Sequence, residues 1–161
     1  MKLEIKNLRK SFGETEILHG VSFVAESGEA HGFLGRNGAG KTTTIRCIMD
    51  VFQADSGEIL LDGKPFNRAD HRIGYMPEER GMYEKVPVID QLVYFGELKG
   101  MERSAAKASA MHYLERLNLQ DRASDKLEKL SKGNQQKIQI IQSLIDDPEI
   151  LILDEPFSGL D

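Results

Sequence analysis

A chain of 161 residues with 21 Lys plus Arg against 26 Asp plus Glu has a net charge of −5. It is long enough for one domain with a substantial core, and with no basic block it is disfavoured as an electrostatic nucleic-acid binder. Met1-Lys2-Leu3-Glu4 is no signal core, no apolar run approaches the ~20 residues of a membrane span, and one cysteine closes no internal disulfide, so a soluble chain in a reducing compartment is expected.

Residues 2–8 alternate Leu3 and Ile5 against Lys2, Glu4 and Lys6, the period of a strand with one polar face. Gly13 marks a turn, and Ile17 to Ala25 reads as a second strand ending at Ser27-Gly28, so an antiparallel ribbon is expected. Phe12, at the turn, has two readings: a cover for the ribbon's edge, or a flat surface on which an adenine ring stacks. Glu29 to Leu34 reads as a short buried strand, and Thr42 to Val51 has helical spacing, with Cys47 as a buried spacer.

Between them stands Gly35-Arg36-Asn37-Gly38-Ala39-Gly40-Lys41-Thr42-Thr43, a full match to the phosphate-loop pattern G-x-x-x-x-G-K-[ST]. Gly35, Gly38 and Gly40 admit backbone angles closed to other residues, so successive N–H groups can turn inward around a polyphosphate. A helix starting near Lys41 adds its positive end. Lys41 would reach β- and γ-phosphate oxygens, and the Thr42 hydroxyl would ligate Mg²⁺, a hard cation that prefers oxygen. The pattern therefore predicts Mg-ATP as ligand.

Ser56 to Gly63 reads as turn, strand, turn, and Arg72 to Met76 as a short strand closed by Pro77. Helical patterns follow at Asp90–Lys99, stopped by Gly100; at Ser104–Leu117, with Ser104 as a plausible N-cap; and at about Asn134–Asp146. The block 82–145 is read as an all-helical subdomain whose apolar stripes are core. His19, His31, His71 and His112 are scattered without metal-ligand spacing. Lys126-Leu127-Glu128-Lys129 reads as a solvated face. Glu149 to Glu155 is an apolar run ending in two acids, the form of a buried parallel strand that delivers carboxylates at its end. Asp154 is placed to hold the Mg²⁺ shell and Glu155 to polarise a water that attacks the γ-phosphate.

Leu130-Ser131-Lys132-Gly133-Asn134-Gln135 resembles the signature sequence of ATP-binding cassette (ABC) ATPases, and Asp154-Glu155-Pro156-Phe157-Ser158-Gly159-Leu160-Asp161 is similar to that family's magnesium strand, catalytic acid and D-loop. The resemblance runs from the aromatic turn to the D-loop. It implies an α/β fold: a P-loop NTPase core (1–81 and 146–161) with an N-terminal antiparallel ribbon and an inserted helical subdomain (82–145). It also implies that Phe12 stacks adenine, that Lys41 and Glu155 are catalytic, and that Thr42, Glu78 and Asp154 surround Mg²⁺. Ser131, Lys132, Gly133 and Asn134 would form the signature that acts across the dimer, Ser131 and Gly133 binding the γ-phosphate held by a second subunit, with Asp161 at the dimer seam.

Two departures stand out. Glu78 occupies a position where the family usually has glutamine, in a segment similar to a branch of ABC-2-type sodium and drug exporters, so export is the expected direction. Lys132 and Asn134 replace the usual glycine and glutamine of the signature. The resemblance implies a transmembrane permease partner, a head-to-tail dimer with itself or a second ATPase subunit, no nucleic acid, and a cytoplasmic position on the inner face of the membrane. Glu79, Arg80 and Tyr83 fall in the linker where coupling to the permease, or plain surface exposure, is expected. Soluble ABC ATPases of DNA repair or translation, and a non-hydrolysing nucleotide-binding fragment, are the alternatives. By the family pattern the chain reads as an N-terminal fragment, lacking a later strand and a γ-phosphate histidine.

Overall fold

The computed structural model describes residues 1–33, 35, 38–78 and 81–156. The chain divides into two compact units, Met1–Asp70 and His71–Asp161.

The first unit is a four-stranded antiparallel sheet in the order β2-β1-β3-β4, with one α-helix among the described residues. Strand β1 (Lys2–Phe12) pairs with β2 (Thr15–Glu26) across a tight turn at Gly13, whose φ is 60°. Both strands run further than their alternation predicts. The inward residues change parity along β1, from Leu3 and Ile5 to Leu8. The cause is an irregularity at Asn7, which has φ 48° and donates its N–H to Ser22 Oγ at 2.7 Å. Gly57, opening β3 (Ser56–Leu61), lies against that kink, where an added Cβ would stand 2.6 Å from Asn7 O. Asp62-Gly63, both at positive φ, turn the chain into β4 (Lys64–Pro65), and Pro65 is tolerated because β4 is an edge.

Two expectations need correction in this unit. Residues 29–33 form no strand, and Leu34 lies outside the described residues. Among the described residues no ladder partner takes their backbone; instead His31 stacks on Phe23 of β2 and Phe33 lies tilted against it, with ring centroids 5.2 and 5.1 Å from that of Phe23. Helix α1 (Lys41–Ile48) ends before Val51, because Asp50 turns to φ 55° and leaves Val51 exposed. Thr44, Ile45, Cys47 and Ile48 are its buried face.

In the second unit, β5 (Ile73–Met76) and β6 (Ile150–Leu153) pair in parallel, Ile73 opposite Ile150. Between them come α2 (Val88–Leu98), α3 (Arg103–Arg116) and α4 (Lys132–Leu144). Val88 and Leu92 of α2, Ala110 and Leu114 of α3, and Ile138 and Ile141 of α4 are fully buried in one cluster. Each such aliphatic side chain contributes roughly 1.5–3 kcal/mol by leaving water. Small residues set the closest approaches. An added Cβ on Gly96 would stand 2.6 Å from Ala106 Cβ, and one on Gly74 would stand 2.1 Å from Ser143 O, so α3 seats on α2 and α4 on β5 at those points.

Helix α3 starts earlier than its pattern predicts. Ser104 lies inside it, and the N-cap is Glu102, whose carbonyl accepts from Ala106 N–H at 2.9 Å without any side-chain cap. Helix α2 likewise starts at Val88, two residues before the predicted Asp90, and Gly100 at φ 87° follows its end. Among the described residues no helix is long and apolar enough to cross a membrane.

Candidate phosphate loop and acidic turn

The phosphate loop belongs to the first unit. Of its residues Gly35, Gly38, Ala39, Gly40, Lys41, Thr42 and Thr43 are described, while Arg36 and Asn37 lie outside the described residues. Gly38 and Gly40 both have φ 83°, the left-handed region that glycine enters at little cost. Gly40 is required twice over: an added Cβ would stand 2.5 Å from Leu18 Cδ2 and 3.2 Å from Ile17 O. The loop therefore ends pressed against β2, and α1 leaves from that fixed point. Lys41 folds back over the loop and donates Nζ–H to Gly35 O at 2.8 Å, so the ammonium stands at the cradle. Thr44 Oγ1 donates to Gly40 O at 2.9 Å and closes the first turn. Gly40 offers no side chain to cap α1, so the helix's leading N–H groups face the loop with their partial positive charge.

Phe12 ends β1 in the same unit and is 49% exposed. It meets Phe52 edge to face with ring centroids 5.2 Å apart. Cys47 is buried as expected, and burial pushes its thiol pKa up.

The acids and the signature belong to the second unit. Asp154 follows β6 directly, is only 3% exposed, and donates its N–H to Met76 O at 2.9 Å. Its Oδ2 is buried with no hydrogen-bond partner among the described groups. An orphaned carboxylate oxygen in a buried site costs free energy, and a cation or cation-bound water relieves it. The carboxylates of Asp154 and Glu78 offer oxygen donors, as Mg²⁺ prefers. Glu78 is exposed. Glu155 takes φ 50°, uncommon for a residue with a side chain.

Ser131 is the N-cap of α4: its Oγ accepts from Asn134 N–H at 3.3 Å, and Lys132, Gly133 and Asn134 form the first turn. Three glutamines that sequence reasoning gave no role organise this unit. Gln91, 1% exposed, accepts from Tyr83 N–H at 3.1 Å and donates to Tyr83 O at 3.3 Å and Val86 O at 3.1 Å, pinning the approach to α2. Gln135 Nε2 donates to Leu127 O and Leu130 O, 3.1 and 3.0 Å away, fixing the segment that enters the signature. Gln136 Nε2 donates to Pro156 O, which fastens the acidic turn to the first turns of α4. Tyr83 is 53% exposed. Glu79, Arg80 and the predicted D-loop, 157–161 with Asp161, lie outside the described residues.

The sequence profile of the family described as ABC transporter matches residues 18–158. The uncharacterized ABC transporter ATP-binding protein YhaQ of Bacillus subtilis strain 168 is 48% identical over 160 residues, covering 99% of this chain and 54% of that protein. A ribose import ATP-binding protein of Lacticaseibacillus paracasei is 37% identical over 170 residues, 99% of this chain and 34% of its own. A Nod factor export ATP-binding protein of Burkholderia lata is 37% identical over 163 residues, 99% of this chain and 54% of its own. A solved structure titled as the ATP-binding subunit of an ABC transporter superposes with a TM-score of 0.81 at 30% identity, covering 99% of this chain and 68% of that one. This chain spans about half the length of the first curated relatives it matches.

Proposed function

The chain belongs to the ATP-binding cassette family, the ATP-binding domains of ABC transporters, and on that premise we propose that it binds and hydrolyses ATP to drive a membrane transporter. The observation that carries this reading is the glycine loop held against β2, with Lys41 folded over it and an uncapped helix start behind it. Gly35 to Thr43 cradle the polyphosphate through backbone N–H groups, and Lys41 offsets charge on the β- and γ-phosphates. Phe12 stacks on the base. Thr42, Asp154 and Glu78 would hold Mg²⁺, which would supply positive charge to offset that of the phosphates. Glu155 accepts a proton from, or orients, the attacking water. Ser131 and Gly133, in the signature that includes Lys132 and Asn134, meet the γ-phosphate of a second copy, or of a second ATPase subunit, in a head-to-tail pair.

The core is residues 1–81 and 146–161, with 82–145 as the helical subdomain, and the linker carrying Glu79, Arg80 and Tyr83 reaches a transmembrane permease. The protein sits on the cytoplasmic face of the membrane by that contact. Export is the preferred direction. Its support is the Pro77-Glu78 segment and the relative named for Nod factor export, against a relative named for ribose import. If export is right, the complex with its permease turns over ATP without any external solute-binding protein; strict dependence on one would reverse the direction.

The test of the hydrolytic reading is Glu155→Gln in the complete protein. Size and hydrogen-bonding capacity persist while the charge goes, so ATP affinity is expected to stay within about threefold while turnover falls ~100-fold or more, in line with loss of a general base. Steady-state phosphate release within a few-fold of the parent would remove Glu155 from that role.

A further inference from the structure

The ring at the tip of the first hairpin is held by more than its own strand. Lys10 and Phe12 are two residues apart on β1 and so share a face. Phe52, in the segment after α1, meets the Phe12 ring at 87°. The Lys10 ammonium stands 5.6 Å from the Phe12 centroid and 5.8 Å from that of Phe52, so one cation serves both rings.

Lys10 is in turn fixed by Asp55. Oδ1 of Asp55 accepts from Lys10 Nζ at 2.9 Å, and Oδ2 accepts the Ser11 backbone N–H at 2.6 Å. The Asp55 N–H donates to Arg9 O at 2.9 Å. The three residues before Phe12 are therefore tied to Asp55, Lys10 and Ser11 through its carboxylate and Arg9 through its backbone N–H. The Lys10 hydrogen bond first, and the Ser11 N–H second, hold that carboxyl below its ordinary pKa, so it stays ionised.

All this bracing leaves Phe12 half in water. A ring whose task was to cover an edge would be expected to bury more of itself and would need no ion pair behind it. An edge-on neighbour and a cation fix the ring's plane while leaving ring surface open, which is what a stacking surface requires. The place also fits. Gly40 presses on Leu18, and Leu18 is the register partner of Lys10, so the end of the phosphate loop abuts the strand that pairs with the one carrying the braced ring.

We propose that Phe52, Lys10 and Asp55 are positioning residues that hold Phe12 as a preorganised platform for the nucleotide base, so that the braced pair of rings, not Phe12 alone, sets base affinity. This rests on Phe12 being the stacking residue and deepens that assignment. The platform touches only the face of the base, so it contributes similarly to ATP and GTP and nothing to the phosphates.

The experiment compares the equilibrium affinities of ATP and inorganic tripolyphosphate, both with Mg²⁺, in the complete protein. Phe12→Ala is expected to weaken ATP about tenfold, the scale of one lost base-stacking contact, and to leave tripolyphosphate unchanged. Phe52→Ala and Phe52→Leu are both expected to weaken ATP by about threefold with tripolyphosphate unchanged, since leucine replaces the apolar volume but not the ring. Lys10→Met is expected to act in the same sense, by about twofold. If Phe52→Leu binds ATP like the parent while Phe12→Ala is weakened, the brace is overturned and the stacking residue stands. Should tripolyphosphate weaken in step with ATP in the Phe52 variants, the brace is overturned too, because the loss then lies in the loop. If Phe12→Ala leaves the ratio of the two affinities unchanged, the stacking assignment fails and the brace with it.

Discussion

Glu149 stands one residue before β6 and draws on the segment before β5. His71 Nδ1 lies 3.0 Å from its Oε2, an Arg72 guanidinium nitrogen lies 3.6 Å from its Oε1, and its N–H donates to Arg72 O at 2.9 Å. The side chain thus sets where two parallel strands begin to pair. The hydrogen bond with His71 first, and the charge of Arg72 next among the lowering causes, pull its pKa below the ordinary 4.5. A depressed carboxylate is ionised in the fold at a pH where the unfolded chain already takes up a proton. Its contribution is therefore fully present above the unfolded value and is lost as pH falls through the lowered folded one. Glu149→Gln is expected to flatten that part of the acid limb, and the two proteins should converge once both carboxyl forms are protonated. Because the group is exposed to solvent, the effect should be small and should shrink with salt. Urea midpoints followed by circular dichroism across the acid range measure it; parallel curves for parent and variant would assign the acid slope to other groups.

At the scale of elements, α4 joins three features: a hydroxyl cap at Ser131, the entry segment held by Gln135, and the acidic turn held by Gln136. Gln136→Leu keeps the volume of a side chain that is 5% exposed but leaves the Pro156 carbonyl without that donor. A loss of about 1–3 kcal/mol is expected, with amide exchange across 150–156 accelerating while α2 and α3 keep their protection. Unchanged exchange in that peptide would mean the turn is held by other contacts. None of this was legible beforehand, since a glutamine that bridges twenty residues reads like any other polar position of a helix. The apolar stripes of α2, α3 and α4 were legible because helical periodicity is a local property, as was the phosphate loop, whose glycines and lysine act on their own backbone. Boundaries slipped where the deciding group is a main-chain angle or a carbonyl: Asp50 ended α1 early, and Glu102 rather than Ser104 started α3. The strand expected before the loop failed for a related reason, because a ladder needs a partner and residues 29–33 are instead occupied with Phe23. The parity change along β1 depends on Asn7 meeting Ser22 and Gly57, contacts that alternation cannot carry.

For the whole molecule, the decisive matter is whether one copy completes its own site. The phosphate loop with Lys41 belongs to one compact unit and the signature turn with Ser131 to the other. In the proposed head-to-tail pair each site takes its loop from one copy and its signature from the other, an isologous contact in which a two-fold axis repeats the same loop-to-signature pairing twice. Two inactive variants of the complete protein then test the arrangement. Lys41→Ala removes the ammonium at the cradle. Ser131→Asp keeps an oxygen at the cap of α4, where aspartate is also an effective N-cap, but sets a negative charge against the incoming phosphate. Each variant alone forms pairs in which both sites are damaged. A mixed pair gathers both lesions into one site and leaves the other with an intact loop and an intact signature. With equal mixing, half the pairs are mixed and each has one sound site, so phosphate release should recover to about a quarter of the parent rate if the sites act independently. The recovery should appear only after subunits have had time to exchange, and it should vanish when both substitutions are placed in the same chain and mixed with Lys41→Ala. If the mixture stays as inactive as its components while sedimentation shows that mixed pairs form, the loop and signature of a single copy act together and the head-to-tail reading is wrong.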